Sequence, residues 1–406
     1  MASRPSIRIA RKARLKAESD FATWLMMAKL GSFDDLPSNA QGFLLSYRAR
    51  LERMSEAESK VVAVREVYAT YYTEMGGLGR SAADWFRLSV DMARWEPSFS
   101  WIVTQAAGDM ATYVAAADPS FTTAFLADKQ ANTASSDNGA GTLTPEGDQF
   151  WLEGRWGFCS GCQGATWVGG LAKLPVANTS DVPEARFALV PVDRAAIDEN
   201  WNTMGMIGTG SHTVVIEKQL IPAAWTIRID LWSEKDYGPM SSAAGNSAWP
   251  VATSVAAIQL GLARRALDAA ADLLKVKTAR RATAPLIEHP RVQYELIMAE
   301  GAWLACYAGV EQALSRLWEH AELNRRLPVE DRLVLFAANV HASASAIRII
   351  GSICDLIGSS VAPAQGIFGA CLRDARIIGS HAILSGPKVE IAGQMRYGLL
   401  EDSFWV

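Results

Sequence analysis

The sequence predicts a mainly α protein with a central β domain: an N-terminal helical domain over residues 1–127, a small β-barrel over 128–237, and a C-terminal four-helix bundle over 238–406. Three observations predict it. Up to about Ala127 apolar residues recur at helical spacing. From Lys129 to about Trp232 short β-rich runs are set apart by Gly, Asn, Asp and Pro clusters. Beyond Pro250 apolar residues return at intervals of three, four and seven, the near-3.5 repeat of long bundled helices.

The elements follow in order. Phe21, Trp24, Leu25 and Ala28 share one helical face, and Val61, Val64, Val67 and Tyr68 share another. Gly31–Pro37 and Met75-Gly76-Gly77-Leu78-Gly79 interrupt them. Ser81 with Asp84 three residues on forms a capping signature for a helix carrying Trp85, Leu88 and Met92, and Pro97 opens the next. Strands are expected over Phe150–Phe158, Thr166–Leu174, Arg186–Val192 and His212–Leu220. A loose Gly238–Pro250 linker leads to a helix over Ser254–Val276 and to apolar stripes over Leu296–Leu317 and Leu333–Ile357, wide enough to suggest subunit contacts.

Composition narrows the function classes. Half of the 406 residues are apolar and the net charge is -4, so there is no electrostatic case for nucleic acid. No uninterrupted apolar run reaches the roughly 18 residues of a membrane span. Arg4, Arg8, Arg11, Lys12, Arg14 and Lys16 precede the first helix without the apolar segment of a secretory signal, and five scattered cysteines suit a reducing, cytoplasmic setting. Cys159 and Cys162 form a CxxC without further ligands at zinc spacing, which reads as two small residues in a tight turn.

The stretch from Gln149 to Gly170 carries the chemistry. Aromatic residues alternate with small ones through Trp151, Trp156, Phe158, Ser160 and Trp167, and Gly157, Gly161 and Gly164 allow something flat to approach the main chain. A planar cofactor such as a flavin fits that pattern; a packed sandwich core with glycine bulges fits it too.

Three ordered blocks carry a resemblance. They are Gly154-Arg155-Trp156-Gly157-Phe158-Cys159-Ser160-Gly161-Cys162 with Trp167; Trp201-Asn202-Thr203-Met204-Gly205-Met206-Ile207-Gly208-Thr209-Gly210-Ser211; and Arg373-Asp374-Ala375-Arg376 with His381, expected on one helix. Together they resemble the acyl-CoA dehydrogenase fold, and within it the flavin-dependent monooxygenases of two-component systems, over roughly residues 70–390. Departures are Ile207 where the family usually carries Arg, Ile367-Phe368-Gly369-Ala370 in place of a Pro-apolar-Gln-Arg run, and no histidine around Ala106–Asp109.

The resemblance implies an oxygenase component that uses reduced FMN or FAD and oxygen, by way of a C4a-hydroperoxyflavin, to hydroxylate a bulky, aromatic small molecule. The flavin would come from a separate reductase, and the chain would form a homotetramer. Ser160 would hydrogen-bond near flavin N5, with Trp156 and Phe158 walling the ring. Ser135 and Ser136 would meet the pyrimidine side; Trp201, Thr209 and Ser211 would close the other. Arg280 or Arg281 would pair with flavin phosphate, or else sit at a solvated helix end. His381 is the implied general base. An acyl-CoA dehydrogenase and a bundle protein without cofactor are the alternatives; the dehydrogenase's usual Tyr-Glu-Gly-Thr run is absent.

Overall fold

The computed structural model describes residues 81–127, 131–176, 183–228, 248–280, 282–323, 327–363, 366–384, 386–403 and 405–406. The helices expected before Ser81, the Met75-Gly76-Gly77 turn and Arg281 lie outside the described residues. Helix α1 (Ala82–Trp95) starts on the expected capping box: Ser81 Oγ accepts from Asp84 N at 3.2 Å, and the Asp84 carboxylate accepts from Ser81 N at 3.3 Å. Trp85, Leu88 and Met92 are buried on its inner face. Helix α2 (Pro97–Ala116) opens on Pro97, whose missing N–H costs nothing at a first turn. Helix α3 (Pro119–Ala127) then leads into the sheet.

Seven strands form that sheet: β1 (Thr133–Glu146), β2 (Gln149–Cys159), β3 (Trp167–Lys173), β4 (Ala185–Pro191), β5 (Ala196–Asp198), β6 (His212–Pro222) and β7 (Thr226–Arg228). Their order is β5-β6-β2-β1-β3-β4-β7, with β1 and β3 parallel and the other pairs antiparallel. The expected small β-barrel is one sheet with β5 and β7 at its edges, curled until β3 approaches β6. The four expected strands are present within two residues of their expected ends. The longest strand, β1, is missed from sequence because TASSDNGAGTLTPE is rich in turn formers.

Its glycines have a packing reason. A Cβ on Gly141 would stand 2.3 Å from the Trp156 ring, and one on Gly154 2.5 Å from it. Trp156 is wholly buried among Leu143, Leu152, Val168 and Val214, and its Nε1 donates to Leu171 O at 2.8 Å. The indole fills the curl, so it cannot also wall a cofactor, and that expectation for Trp156 is corrected.

The C-terminal part has three long helices, α4 (Trp249–Val276), α5 (Pro290–Glu322) and α6 (Val329–Ile357), then short α7 (Ile367–Ile378) and α8 (Pro387–Arg396). Helix α1 packs on α4 at Gly261, where a Cβ would meet Val90 O at 2.5 Å. The expected fourth long helix is cut after Ile378. His381 therefore follows α7 in a turn rather than sharing a helix with Arg373. At the cut, Gln259 Nε2 fills the Cβ place of Gly379 at 2.5 Å.

The Leu296–Leu317 and Leu333–Ile357 stripes serve the chain's own core: Val310, Leu314, Leu317, Ile350 and Ile357 are fully or almost fully buried. The apolar face of α5 left outside is a different one, with Tyr294, Ile297, Met298 and Leu304 all more than half exposed. Residues Val329–Val361 are apolar and long enough, by length and composition, to cross a membrane, but α6 packs against both α4 and α5.

Candidate active site

At the end of β2 the backbone leaves the sheet abruptly. Phe158 has φ +60° and Gly161 φ +67°, and Ser160 sits between them. The second non-glycine residue with positive φ among the described residues is Met206, at +52°, in the facing Gly205–Ser211 loop. Left-handed backbone at two bulky residues is costly and marks a shape the surroundings impose.

Three hydroxyls join the two turns. Trp101 Nε1, from α2, donates to Ser160 Oγ at 2.9 Å. Ser160 Oγ and Ser211 Oγ are 2.8 Å apart, Ser211 Oγ and Thr209 Oγ1 2.7 Å, and Thr209 Oγ1 donates to Met206 O at 2.9 Å. Gly161 N donates to Thr209 O at 2.7 Å, and Trp201 Nε1 to Met206 O at 3.1 Å. Trp201 also takes Phe158 edge to face, with ring centroids 5.7 Å apart.

The loop is anchored on α7. Asp374 Oδ1 accepts from Met206 N at 2.6 Å, and a Cβ on Gly205 would lie 2.5 Å from the Arg373 backbone, so the loop lies directly on the helix. Burial raises the Asp374 carboxyl above its ordinary value, opposed by the Met206 N–H and the charges of Arg265 and Arg373.

His381 arrives from the turn after α7. Its ring meets Trp101 edge to face at 5.1 Å, two contacts from Ser160. Nδ1 accepts from Ile383 N at 3.2 Å, which assigns the proton of the neutral ring to Nε2. Burial lowers its pKa below the ordinary 6.5, and the Asp137 carboxylate, next to Ser136 on β1, pulls it back up. A neutral Nε2–H ring offers a donor. The expected general base is corrected to that extent: at Nε2 this tautomer gives a hydrogen bond and takes none.

The structure therefore brings Phe158, Ser160, Trp201, Thr209, Ser211 and His381 into one neighbourhood. Ser135, half-buried, and Ser136, which accepts from Asn138 N at 3.0 Å, lie on β1 just before Asp137. Arg280 is exposed beyond the end of α4. Gln259, which touches α7, is seventeen residues or about 25 Å of helical rise from the end of α4 at Val276, and Arg280 lies four residues beyond that end. No bond between Arg280 and the residues of this site occurs among the described residues. The sequence offers Trp101 only as an unplaced pocket-lining aromatic and Asp374 only within the Arg373-Asp374 block; neither the Trp101 bond to Ser160 nor the Asp374 bond to Met206 N is legible in it.

The residues fit a flavin. Beside the hydroxyls lie exposed apolar side chains, Phe158 at 59%, Met204 at 55% and Ile207 at 64%. A polar row flanked by uncovered apolar surface suits a planar ring with one hydrogen-bonding edge. No group of three metal-ligating side chains occurs among the described residues.

Comparisons with known proteins agree. Residues 253–386 match the family described as acyl-CoA dehydrogenase, C-terminal domain. The chain is 26% identical to indole-3-acetate monooxygenase of Pseudomonas putida over 370 residues, covering 86% of this chain and 90% of that one. It is 26% identical over 263 residues to the oxygenase component of the FADH(2)-dependent resorcinol hydroxylase of Rhizobium sp. (strain MTP-10005), covering 61% and 64%. Among solved structures, the TdsC complex from Paenibacillus sp. A11-2 with FMN and indole superposes with a TM-score of 0.74 at 20% identity, covering 96% of this chain and 99% of that one. The chain thus has the acyl-CoA dehydrogenase fold, and the relatives it is similar to are flavin-dependent monooxygenases.

Proposed function

We propose that the chain receives reduced FMN or FAD from a separate reductase and inserts one oxygen atom into a bulky aromatic compound. The single observation that carries this is the Ser160 hydroxyl, joined to Trp101 and through it to His381, beside uncovered apolar surface. Reduced flavin supplies the electrons that activate oxygen. The chain's own residues bind, orient and dry the site. Ser160 holds one edge of the ring, Phe158 and Trp201 supply apolar wall, and His381 offers its Nε2 proton to an oxygen atom. The relatives' names favour an aromatic substrate such as an indole or a phenol.

We further propose a homotetramer. The Tyr294, Ile297, Met298 and Leu304 face of α5 is more apolar than a lone surface helix tolerates, and Gly301 and Ala305 beside them permit close helix approach. Arg280, remote from its own Ser160, would then serve the flavin phosphate of a neighbouring copy. Five free, buried thiols support a cytoplasmic setting.

The test is oxygen uptake with an aromatic panel. Uptake is expected only when a flavin reductase is added. Direct NADH oxidation by the purified chain would overturn the two-component reading. A dehydrogenase reading needs a carboxylate base at the ring; Glu390 and Glu401 are both exposed.

A further inference from the structure

Three titratable groups from three parts of the fold meet at the His381 end of the site. The Asp137 carboxylate of β1 pulls on both His381 and Lys388. Such a pull fades over roughly 8–10 Å, so the three groups share one rim. Strand β1 brings Asp137 there by a bulge. Between Ser136, opposite Gly170, and Gly141, opposite Ala172, β1 spends five residues where β3 spends two, which frees Asp137 from that ladder. After His381 the chain turns at Gly386, with φ +45°, into α8, whose second residue is Lys388.

Lys388 is held in place yet makes no ion pair among the described residues. Its Nζ stands 3.1 Å from the centroid of the Trp405 ring. The segment carrying that ring is fixed by Arg332, buried near the start of α6. Arg332 Nη1 donates to Ser403 O at 3.0 Å and to Val406 O at 2.8 Å, and its guanidinium pairs with Asp402. Burial lowers the Lys388 pKa to about 8, with Asp137 alone drawing it back up. The ammonium has therefore lost water without gaining a counter-charge in contact. Asp137 is exposed and screened by solvent, whereas Lys388 is half-buried and screened less. The rim is left with a net pull on anions.

We infer that Lys388 determines substrate specificity: it receives a carboxylate carried by the aromatic substrate, so that the site prefers anionic aromatic compounds to neutral ones of the same size. This rests on the oxygenase reading above and names the substrate class of that site. With His381 neutral, Lys388 carries the positive charge of the three groups. A bound monoanion supplies the contact that the ammonium lacks. A phosphate dianion, such as that of the flavin, would meet the Asp137 charge twice over and is the poorer occupant. Asp137 sets the strength of the preference, because it opposes any anion that approaches Lys388.

The experiment titrates the full chain, loaded with reduced FMN under anaerobic conditions so that nothing turns over, with indole-3-acetate and with indole-3-acetamide. The two probes match in ring and size and differ in charge. The parent protein is expected to bind the acetate about tenfold more tightly. Lys388→Met should bring that ratio close to one, whereas Lys388→Arg, which keeps the charge, should retain it. Asp137→Asn should widen the ratio, by about threefold. A lysine with a merely structural part would weaken both probes alike. An unchanged ratio in Lys388→Met, or a parent without preference, would overturn the inference and leave the oxygenase reading intact. Weaker binding of reduced FMN in Lys388→Met, with the probe ratio kept, would also overturn it and assign the lysine to the flavin phosphate. Binding of neither probe by a parent that does bind reduced FMN would overturn the aromatic-substrate reading itself.

Discussion

Trp101 joins Ser160 to His381, and it does so with two different parts of one side chain. Its N–H bonds Ser160 while its ring packs edge to face on the imidazole. Trp101→Phe keeps an aromatic ring and removes the donor. We expect reduced-flavin affinity to weaken roughly 3–10-fold, the value of one neutral hydrogen bond, with little change in folding temperature. His381 carries a different part of the work. His381→Ala should leave flavin affinity nearly intact and lower product formation by roughly 10²–10⁴-fold, with oxygen diverted to hydrogen peroxide. Measuring product against oxygen consumed checks this; unchanged coupling would make the histidine structural. Its pH dependence has a definite sign. The folded pKa lies below 6.5, so the neutral ring and its Ile383 bond are intact above 6.5 and are lost as pH falls through the lower folded value. Asp137 supports the charged form, so Asp137→Asn should move the acid loss of coupling to still lower pH.

At the scale of elements, two close approaches hold the site in place. Strand β1 crosses Trp156 at glycines, where a methyl on Gly141 would overlap the ring by more than an ångström. Gly141→Ala should destabilise by about 1–3 kcal/mol or more, and adding Trp156→Phe should recover part of the loss. Chemical denaturation of the single and double variants reads the coupling directly; additive losses would show that the strand is held elsewhere. The second concerns α1 against α5. Burial raises the Asp91 pKa to about 7, against an opposing pull from Arg94. A carboxyl with a raised folded pKa stabilises most below its unfolded value near 3.8 and loses that contribution as pH climbs through 7. Asp91→Asn should therefore raise the melting temperature more at pH 8 than at pH 5. Equal shifts at both would remove burial as the cause.

For the whole molecule, the uncovered α5 face and distant Arg280 point to the same arrangement. Ala305→Glu places a charge beside Leu304 at the end of that face and should reduce the particle mass by light scattering. Arg280→Ala should weaken flavin binding at constant mass. If the site is completed across copies, both variants lose flavin affinity, the first in proportion to dissociation. A monomeric parent at micromolar concentration would overturn the tetramer, and Arg280 would then be a solvated helix end.

Much of this was legible in the chain itself. Periodicity alone separates the helical parts from the β part, because burial of one face imposes 3.6-residue or two-residue spacing on apolar side chains. The Ser81 capping box and Pro97 are local signals for the same reason: their hydrogen-bond partners are within four residues. Ser160, Thr209, Ser211 and His381 stand out by motif. What the sequence hid are properties of contacts across long separations. Strand β1 has poor strand propensity, yet it is central because a Trp ring from β2 needs its glycines. Trp156 reads as a wall and is core. His381 reads as helical and leaves the helix where Gln259 fills the space beside Gly379. The partners of the Ser160 hydroxyl, Trp101 on α2 and Ser211 in the facing loop, lie 59 and 51 positions away. Residue types and local spacing determine which elements form and which chemical groups are present. Only the packed structure decides which of those groups give protons and which receive them, because that depends on the partner each one is left facing.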